Sequence, residues 1–115
     1  MGGSKELFQV VCPKGFIISL DRDCWHGHIL KKHYLQMQGR LKEVEATIVS
    51  ADVIYHNDKH GRTNLLYWKE FPHFGPSHHW LKVAAWIVDE RHKKGIVTTA
   101  HFALFPRGGV ELWRK

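Results

Sequence analysis

The chain has 115 residues, of which 43% are apolar and 12% aromatic, and this composition excludes an intrinsically disordered chain. Its length suits one compact domain over residues 1–115, with residues 1–6 expected to be disordered or left over from cloning. Seventeen Lys and Arg against eleven Asp and Glu give a net charge of +6, which favours an anionic partner. Ten histidines, whose side chains titrate at about pH 6.5, are the most unusual part of the composition.

The two cysteines, Cys12 and Cys24, are too few for a disulfide framework, and their spacing matches no zinc or redox motif. We therefore expect a reducing compartment and a cytoplasmic location. The N-terminal residues lack the basic and apolar regions of a signal peptide, and the sequence holds no apolar run of the roughly 20 residues needed to span a bilayer. No membrane partner is predicted.

Two amphipathic helices are predicted in the first half of the chain. Asp21 is a candidate N-cap for a helix over residues 22–34, which carries apolar residues at helical spacing. Gly27 within this helix costs up to about 1 kcal/mol relative to Ala, and it indicates that another part of the molecule approaches closely there. Gly39 interrupts the pattern, and a second helix is predicted over residues 41–49.

Short strands precede and follow these helices. Residues 7–12 and 16–20, joined by a Pro-Lys-Gly turn, are typical of a hairpin. The second half of the chain predicts strands at residues 53–55, 65–71, 80–89 and 96–104. The strand over 80–89 is apolar on both faces and is therefore expected at the centre of the sheet. This order predicts an α+β fold in which two N-terminal helices pack on a four-stranded antiparallel sheet, with the N-terminal hairpin as an extra element.

The densest group of polar residues lies on the first predicted helix, where residues 25–33 hold three imidazoles and two ammonium groups. In a regular helix His28 borders the apolar stripe, whereas His26 and His33 share another face. His28 and His33 are five residues apart and do not fit the three- or four-residue spacing of metal ligands on a helix. We therefore predict no metal site and no other cofactor.

The same groups suit phosphodiester chemistry. A protonated imidazole can donate a proton to a leaving oxygen, a neutral one can accept a proton, and a nearby Lys can neutralise phosphate charge. RNA fits this chemistry because its 2′-hydroxyl supplies the nucleophile without a metal ion. The alternative is structural: His28 would be a hydrogen-bonded residue at the edge of the core, with the neighbouring Lys and His side chains on the solvated surface.

Polar residues also interrupt the predicted strands, where they need hydrogen-bond partners. They are Lys69, Lys82, Thr98, Thr99 and His101. A Lys in the middle of a strand is less expected than a Thr, which favours strands on its own account. Residues 72–79 contain three histidines and several turn-forming residues, and they form either a substrate-binding loop or a solvated connection.

Three parts of the chain together resemble a known family. Residues 25–33 resemble a W-x-x-H-I-x-x-x-H helix, and residues 47–54 resemble a second helix that leads into a Pro-Asp-x-Ile strand. Residues 81–84 and 95–101 resemble a final hairpin that ends in Thr-Ala-Tyr. This set is similar to the phage-associated branch of the barnase, EndoU, colicin and RelE-like (BECR) nuclease fold. The family has Pro, Pro and Tyr where this chain has Tyr34, Ala51 and His101.

The resemblance implies a metal-independent endoribonuclease of the toxin or mobile-element type, which cleaves RNA such as tRNA to a 2′,3′-cyclic phosphate. The family motifs match His28, His33 and Thr99. We predict that these three residues and Lys82 are catalytic, with the imidazoles as general acid and base. The predicted substrate-binding residues are Lys32, Lys69, Thr98 and His101.

The predicted partners are RNA and an acidic inhibitor or antitoxin protein, which a basic surface would attract. Catalysis by two imidazoles predicts a bell-shaped dependence of rate on pH, with a maximum at about pH 6 to 7. Two alternatives stay open: a noncatalytic RNA-binding module and an inactive interaction protein of the same fold. Salt-sensitive RNA binding without cleavage would identify the first, and a lack of RNA binding would favour the second.

Overall fold

The N-terminal hairpin is the first element of the described part of the chain. The computed structural model describes residues 6–115, in which β1 (Glu6–Val11) and β2 (Ile17–Asp21) pair antiparallel where the hairpin is predicted. Gly15 in the connecting turn has a φ of 85°, which glycine adopts without steric cost. Residues 1–6 are predicted to be disordered or left over from cloning. Positions 1–5 lie outside the described residues, and Glu6 belongs to β1.

The first predicted helix forms, but it is not regular. Asp21 is its N-cap, as predicted, and its carboxylate accepts a backbone hydrogen bond of 2.7 Å from the first turn. A short α1 (Arg22–Cys24) continues into a π-helical turn (Trp25–Ile29) and then into α2 (Leu30–Met37). We call residues 22–37 the composite helix. No helix in the described part of the chain is long and apolar enough to cross a membrane.

The next helix, α3 (Leu41–Val49), lies where the second amphipathic pattern predicts one. Its apolar side packs into the core, where Val44 and Ile48 are fully buried. Thr47 is buried on the same side, and its hydroxyl donates a hydrogen bond of 2.7 Å to the Glu43 carbonyl. That bond satisfies the only polar group of its side chain, so the residue can lie in an apolar environment.

A seven-stranded sheet runs through the molecule in the order β1-β2-β6-β5-β4-β3-β7. The strands after the helices are β3 (Val53–Lys59), β4 (Arg62–Glu70), β5 (Trp80–Asp89), β6 (Lys94–Ala103) and β7 (Val110–Arg114). β5 has the predicted bounds and the predicted central place. The turn between β3 and β4 is tight, because His60 and Gly61 both adopt the positive φ of a two-residue hairpin turn.

The predicted architecture of two helices on a four-stranded antiparallel sheet is wrong, although the chain is α+β. The sheet has seven strands and is mixed, since β2 and β6 pair in parallel. The parallel pair joins segments that are far apart in sequence, and β7 pairs with β3 at the other edge. Only one long helical segment is present in the described residues, the irregular composite helix, beside the shorter α3. Strand pairing between distant segments leaves no local sequence signal, so hydrophobic periodicity did not predict it.

The two faces of the sheet are covered differently. The composite helix and α3 pack on one face, which we call the helix-covered face, and form the main apolar core with it. Fully buried residues of this core include Ile18, Ile29, Ile48, Ile54, Leu65 and Leu81. The opposite face, which we call the open face, carries a smaller apolar cluster of Val53, Leu66, Trp68 and Ala84. Successive residues of a strand point to opposite faces, so Leu81 and Lys82 of β5 belong to different faces.

The connection between β6 and β7, residues 104–109, crosses the open face, and we call it the strap. β6 and β7 are four strand positions apart, which is about 19 Å, whereas the connecting peptides reach at most about 25 Å. The strap therefore crosses the sheet with little excess length, and it bends at residues 104–105 and 108–109. A Cβ on Gly109 would lie 2.2 Å from the His56 carbonyl oxygen, and one on Gly108 would lie 2.7 Å from Leu66. The two glycines let the strap lie directly on the sheet.

Candidate functional site

The composite helix runs along an edge of β6 and brings its imidazoles to that strand. β2 pairs with β6 only over residues 94–96, which leaves the rest of that edge without a neighbouring strand. The composite helix lies along this remaining part of the edge and forms hydrogen bonds with it. The Cys24 thiol donates to the Val97 carbonyl at 3.2 Å, and the Phe102 N–H donates to the Gln36 side-chain oxygen at 3.0 Å. These bonds cover polar backbone groups that an exposed edge would leave unpaired.

The irregular turns of the composite helix decide where its imidazoles point. The π-helical turn closes with a hydrogen bond from the Leu30 N–H to the Trp25 carbonyl, five residues apart, which adds a residue to the turn. His33 then departs from helical geometry, with φ −129° and ψ 38°. The prediction that His28 and His33 occupy different faces assumed a regular helix. In the structure His28 is close enough to His33 that a positive charge on His28 would disfavour protonation of His33.

His33 and His101 form an imidazole pair across the helix–strand boundary. Their ring centroids are 5.1 Å apart and the rings are tilted by 37°. His101 lies opposite Lys82 in the β5–β6 register, on the open face. The pair therefore lies where the composite helix reaches the open face, and both rings are partly accessible to solvent.

The surroundings of the pair favour the neutral imidazoles. Burial is the main cause of the lowered pKa of His33, and the positive charges that His101, His28 and Lys32 can carry lower it further. Burial also lowers the pKa of His101, with a further decrease from Lys82 and Arg107, while a hydrogen bond to a backbone carbonyl acts in the opposite direction. Both pKa values lie below the ordinary value of 6.5.

The hydrogen bond of His101 selects its tautomer. Nδ1 lies 3.2 Å from the carbonyl oxygen of Phe102. A carbonyl oxygen can only accept, so Nδ1 must carry the proton and donate it. The neutral ring of His101 therefore has its lone pair on Nε2, where it can accept a proton from another group.

Next to the pair, the open face forms a shallow groove of about 380 Å³, which we call the basic groove. Its lining residues are Asn57, Lys59, Asn64, Leu66, Lys82, Ala84, Trp86, Thr98, Thr99 and Gly108. Burial lowers the pKa of Lys82, and the nearby charges of Lys59 and Arg107 lower it further. Lys59 and Lys82 line the groove and Arg107 is near enough to act on Lys82, with no carboxylate among the lining residues, so an anion would reduce the repulsion between these cations.

The two threonines of β6 differ in their roles because the strand is irregular at this point. The register of the β5–β6 pair shifts after Ala84. Ala84 pairs with Thr99 and the next residue of β5 pairs with Val97, so Thr98 is an extra residue of β6 at a β-bulge. The Thr98 hydroxyl donates to the Ala84 carbonyl at 3.3 Å. Both threonines line the basic groove. The Thr98 hydroxyl is engaged in the bond to Ala84, whereas the Thr99 hydroxyl is not.

Not every residue predicted for the site is found there. Lys69 lies on the helix-covered face, where its Nζ donates at 3.1 Å to the carbonyl of Ser50 at the end of α3. That position suits a cation, because the carboxyl end of a helix is negative. Lys32 is exposed on the composite helix beside His33. Gly27 has nothing within 4 Å of the position of a Cβ, so the predicted close approach at this glycine is wrong.

The histidine-rich segment 72–79 also lies away from the basic groove. It forms two short 3₁₀ turns, Pro72–Phe74 and Pro76–His78. Phe74 and His78 pack against Phe102, with ring centroids 5.8 and 4.8 Å apart. Phe102 belongs to the main core, so these contacts place the segment on the helix-covered side.

Sequence reasoning missed Lys59, which lines the groove, and three further residues that shape it. Arg107 on the strap acts on the charges of both His101 and Lys82. Asn57 and Asn64, on β3 and β4, form a side-chain hydrogen bond of 3.1 Å. The one available signal was the pair of adjacent glycines after Arg107, since consecutive glycines in a short connection indicate a close backbone approach.

Comparisons with known proteins add no relative. No protein-family model matches the chain, and neither a curated protein nor a solved structure shows significant similarity to it. Among residues 6–115, no group of three or more His, Cys, Asp and Glu side chains is arranged to hold a metal ion. The functional evidence is therefore the imidazole pair and the basic groove beside it.

Proposed function

We propose that the chain is an endoribonuclease that cleaves RNA without a metal ion, by attack of the 2′-hydroxyl on the adjacent phosphate. The observation that carries this proposal is the pair of His33 and His101, 5.1 Å apart, beside a groove lined by cations. Two imidazoles can supply both the base and the acid that the reaction needs. The cations can stabilise the charge that develops on the phosphate oxygens.

His101 is the general base in this proposal. Its Nδ1–H donates to a backbone carbonyl, so Nε2 accepts the proton of the 2′-hydroxyl. The O2′–P bond forms as this proton moves to His101. Burial and the neighbouring cations keep the imidazole neutral at physiological pH, which is the form that a base requires.

His33 is the general acid. Its protonated ring donates a proton to the 5′-oxygen as the P–O5′ bond breaks, which leaves a 2′,3′-cyclic phosphate and a 5′-hydroxyl. The bound phosphate supports this form, because its negative charge favours a protonated imidazole nearby. After one turnover His101 holds a proton and His33 lacks one, and exchange with water restores the starting state.

The remaining groups bind the phosphate and the chain that carries it. Lys82 and Arg107 contribute positive charge beside His101, and Thr99 contributes a hydroxyl donor in the same groove. Lys32 extends the positive surface along the composite helix, and both Lys32 and the His28 imidazole would contact the RNA backbone there. An acidic protein inhibitor would bind the same surface by charge complementarity.

A cleavage assay with defined products tests the proposal. Single-stranded RNA is incubated with the protein in EDTA, and the ends of the products are identified by mass spectrometry. We expect cyclic phosphate ends from the wild type and a loss of rate of roughly 100- to 10,000-fold in His33→Gln and in His101→Gln. His92→Gln is the matched control, because His92 is exposed in the β5–β6 turn and, among the described residues, bonds to Asp89.

Two results would contradict the proposal. Equal cleavage by the wild type and both variants would show that the imidazole pair is not catalytic. Salt-sensitive binding of RNA with no products would instead identify a noncatalytic RNA-binding module. Circular dichroism of each variant shows whether a lost activity reflects a lost fold.

A further inference from the structure

A chain of hydrogen bonds links the strap to the floor of the basic groove. The side-chain N–H of Asn57 donates to the Gly108 carbonyl at 2.6 Å. Asn64 in turn donates from its side-chain nitrogen to Asn57 Oδ1 at 3.1 Å. Asn64 is only 6% exposed, and it is one of the two buried polar residues among those that the structure describes. A buried amide on the open face needs an explanation, because an apolar residue would pack there at lower cost.

The direction of these hydrogen bonds is determined by their chemistry. The Gly108 carbonyl can only accept, so the Asn57 group facing it is the amide nitrogen, and its oxygen faces Asn64. That oxygen in turn requires the nitrogen of Asn64 as donor. The remaining polar groups of Asn64 are Oδ1, which is an acceptor, and the second N–H, which is a donor. Oδ1 accepts no bond from the described residues and is not fully shielded from solvent, and Asn64 is one of the residues that line the groove.

The strap holds this arrangement in place through its glycines. Gly108 has a φ of 116° and lies against Leu66, and Gly109 lies against the backbone of His56. Any side chain at Gly109 would displace the strap from the sheet, because a Cβ there would overlap the His56 carbonyl. The Gly108 carbonyl would then move away from Asn57. The close contact of the strap thus determines the orientation of both amides.

Asn64 lines the basic groove, and the imidazole pair lies beside the groove at its Lys82 end. Asn64 is opposite Trp86 on β5, and His101 is opposite Lys82 on the same strand. These two β5 positions are four residues apart, or about 13 Å. Ala84 lies between them, and its small side chain leaves the groove floor open. The separation suits a base at one end and its phosphate at the other.

We propose that Asn64 recognises an unpaired nucleobase of the RNA, with adenine as the preferred base, and that Asn57 is a positioning residue that fixes the Asn64 amide. This inference rests on the proposed function for the identity of the ligand. An asparagine amide pairs with adenine through the amino group and the neighbouring ring nitrogen of the base. This edge of the base must not be paired with a second RNA strand, because duplex RNA hides its base edges in a deep, narrow groove. The substrate is therefore single-stranded at this position.

Binding of small nucleotides tests this inference without any need for cleavage. The full-length protein is titrated with 3′-AMP and with ribose 3-phosphate, which lacks the base, and affinities are measured by calorimetry. We expect 3′-AMP to bind more tightly than ribose 3-phosphate in the wild type. Asn64→Leu should reduce the affinity for 3′-AMP by roughly 5- to 100-fold and leave that for ribose 3-phosphate unchanged.

Two further variants make the test specific. Asn57→Ala should also weaken 3′-AMP binding, and Asn57→Gln should restore part of it if a longer amide still reaches both partners. Thr63→Ala is the matched control, because Thr63 precedes Asn64 on β4 and bonds to Asp58 instead. Thermal unfolding of each variant identifies any that fails to fold, and the Asn57 variants then provide the test.

The outcomes separate this inference from the proposed function. Equal affinities of 3′-AMP and ribose 3-phosphate in the wild type would overturn the base site, as would an Asn64→Leu variant that binds 3′-AMP like the wild type. RNA cleavage with neither effect would leave the ribonuclease standing without a base site. Asn64-dependent binding of 3′-AMP by a protein that does not cleave RNA would support the base site and reject the ribonuclease.

Discussion

The two faces of the sheet share the same strands but use them differently. On the helix-covered face, β4 and β5 place Leu65, Tyr67 and Leu81 in a core that helices close from solvent. On the open face, the same strands place Asn64 and Lys82 in a groove beneath a single strap. Stability is therefore expected from one face, while the polar groups of the other face can serve binding and catalysis.

Adjacent residues of β5 give the largest expected contrast between the faces. Leu81 is fully buried in the helix-covered core, and Lys82 points into the basic groove. Leu81→Ala should lower the free energy of unfolding by about 2–5 kcal/mol, because it leaves a cavity. Lys82→Met should change it by less than about 1 kcal/mol, because it removes a desolvated charge and keeps the apolar stem. Urea unfolding measures both, and equal losses would refute the division into two faces.

Replacing a glycine by alanine should change the stability in opposite directions on the two sides of the sheet. Gly109→Ala forces a Cβ against the His56 carbonyl, and we expect it to lower the free energy of unfolding by about 1–3 kcal/mol. Gly27→Ala meets nothing within 4 Å at an ordinary helical φ. It should raise stability by up to about 1 kcal/mol, because alanine favours a helix. Thermal unfolding of both variants checks the signs, and a stabilising Gly109→Ala would show that the strap does not lie on the sheet.

Acid should weaken the fold through the imidazole pair. The folded-state pKa values of His33 and His101 lie below 6.5, so the unfolded chain binds more protons as pH falls through 6.5. The free energy of unfolding should therefore be steady above this pH and decrease from pH 6.5 toward pH 5. Urea unfolding at several pH values measures the decrease. A double variant, His33→Gln with His101→Gln, should show a smaller decrease, and an identical pH dependence would contradict the pKa directions.

The smallest expected effect is a slow chemical reaction. Burial raises the pKa of Cys24 to about 11, with a further increase from Asp21, so its thiol stays protonated at pH 8. It also donates to the Val97 carbonyl at the edge of β6. Iodoacetamide should therefore modify native Cys24 much more slowly than the urea-unfolded chain, as followed by mass spectrometry. Equal rates would show that the composite helix does not cover this edge.

Local patterns in the sequence predicted the local elements. The hairpin, the Asp21 N-cap and the bounds of β5 follow from turn residues, capping chemistry and apolar runs, each of which acts over a few residues. The parallel pairing of β2 with β6 and the edge position of β7 depend on segments far apart in the chain. No pattern within one segment specifies such a partner.

The candidate site, like the fold, was predictable only where local sequence patterns determine it. Of the polar residues that interrupt the last hairpin, His101 lies beside the composite helix and Lys82 lines the basic groove. Lys69 looked equivalent in sequence, but both faces of β4 are apolar, so periodicity could not show that it points to the helix-covered face. The π-helical turn contacts β6, and neither this turn nor the proximity of His28 to His33 is revealed by the sequence of the helix alone.

The central claim is that His33 and His101 act together, and the pH dependence of kcat/KM for RNA cleavage tests it most directly. Because both pKa values are lowered, the wild type should give a bell with its maximum below pH 6.5, on the acid side of the range predicted from sequence. The residual activity of His101→Gln should lose the acid limb, and that of His33→Gln the alkaline limb. Unchanged bells in both variants, or a maximum well above neutral pH, would contradict the account.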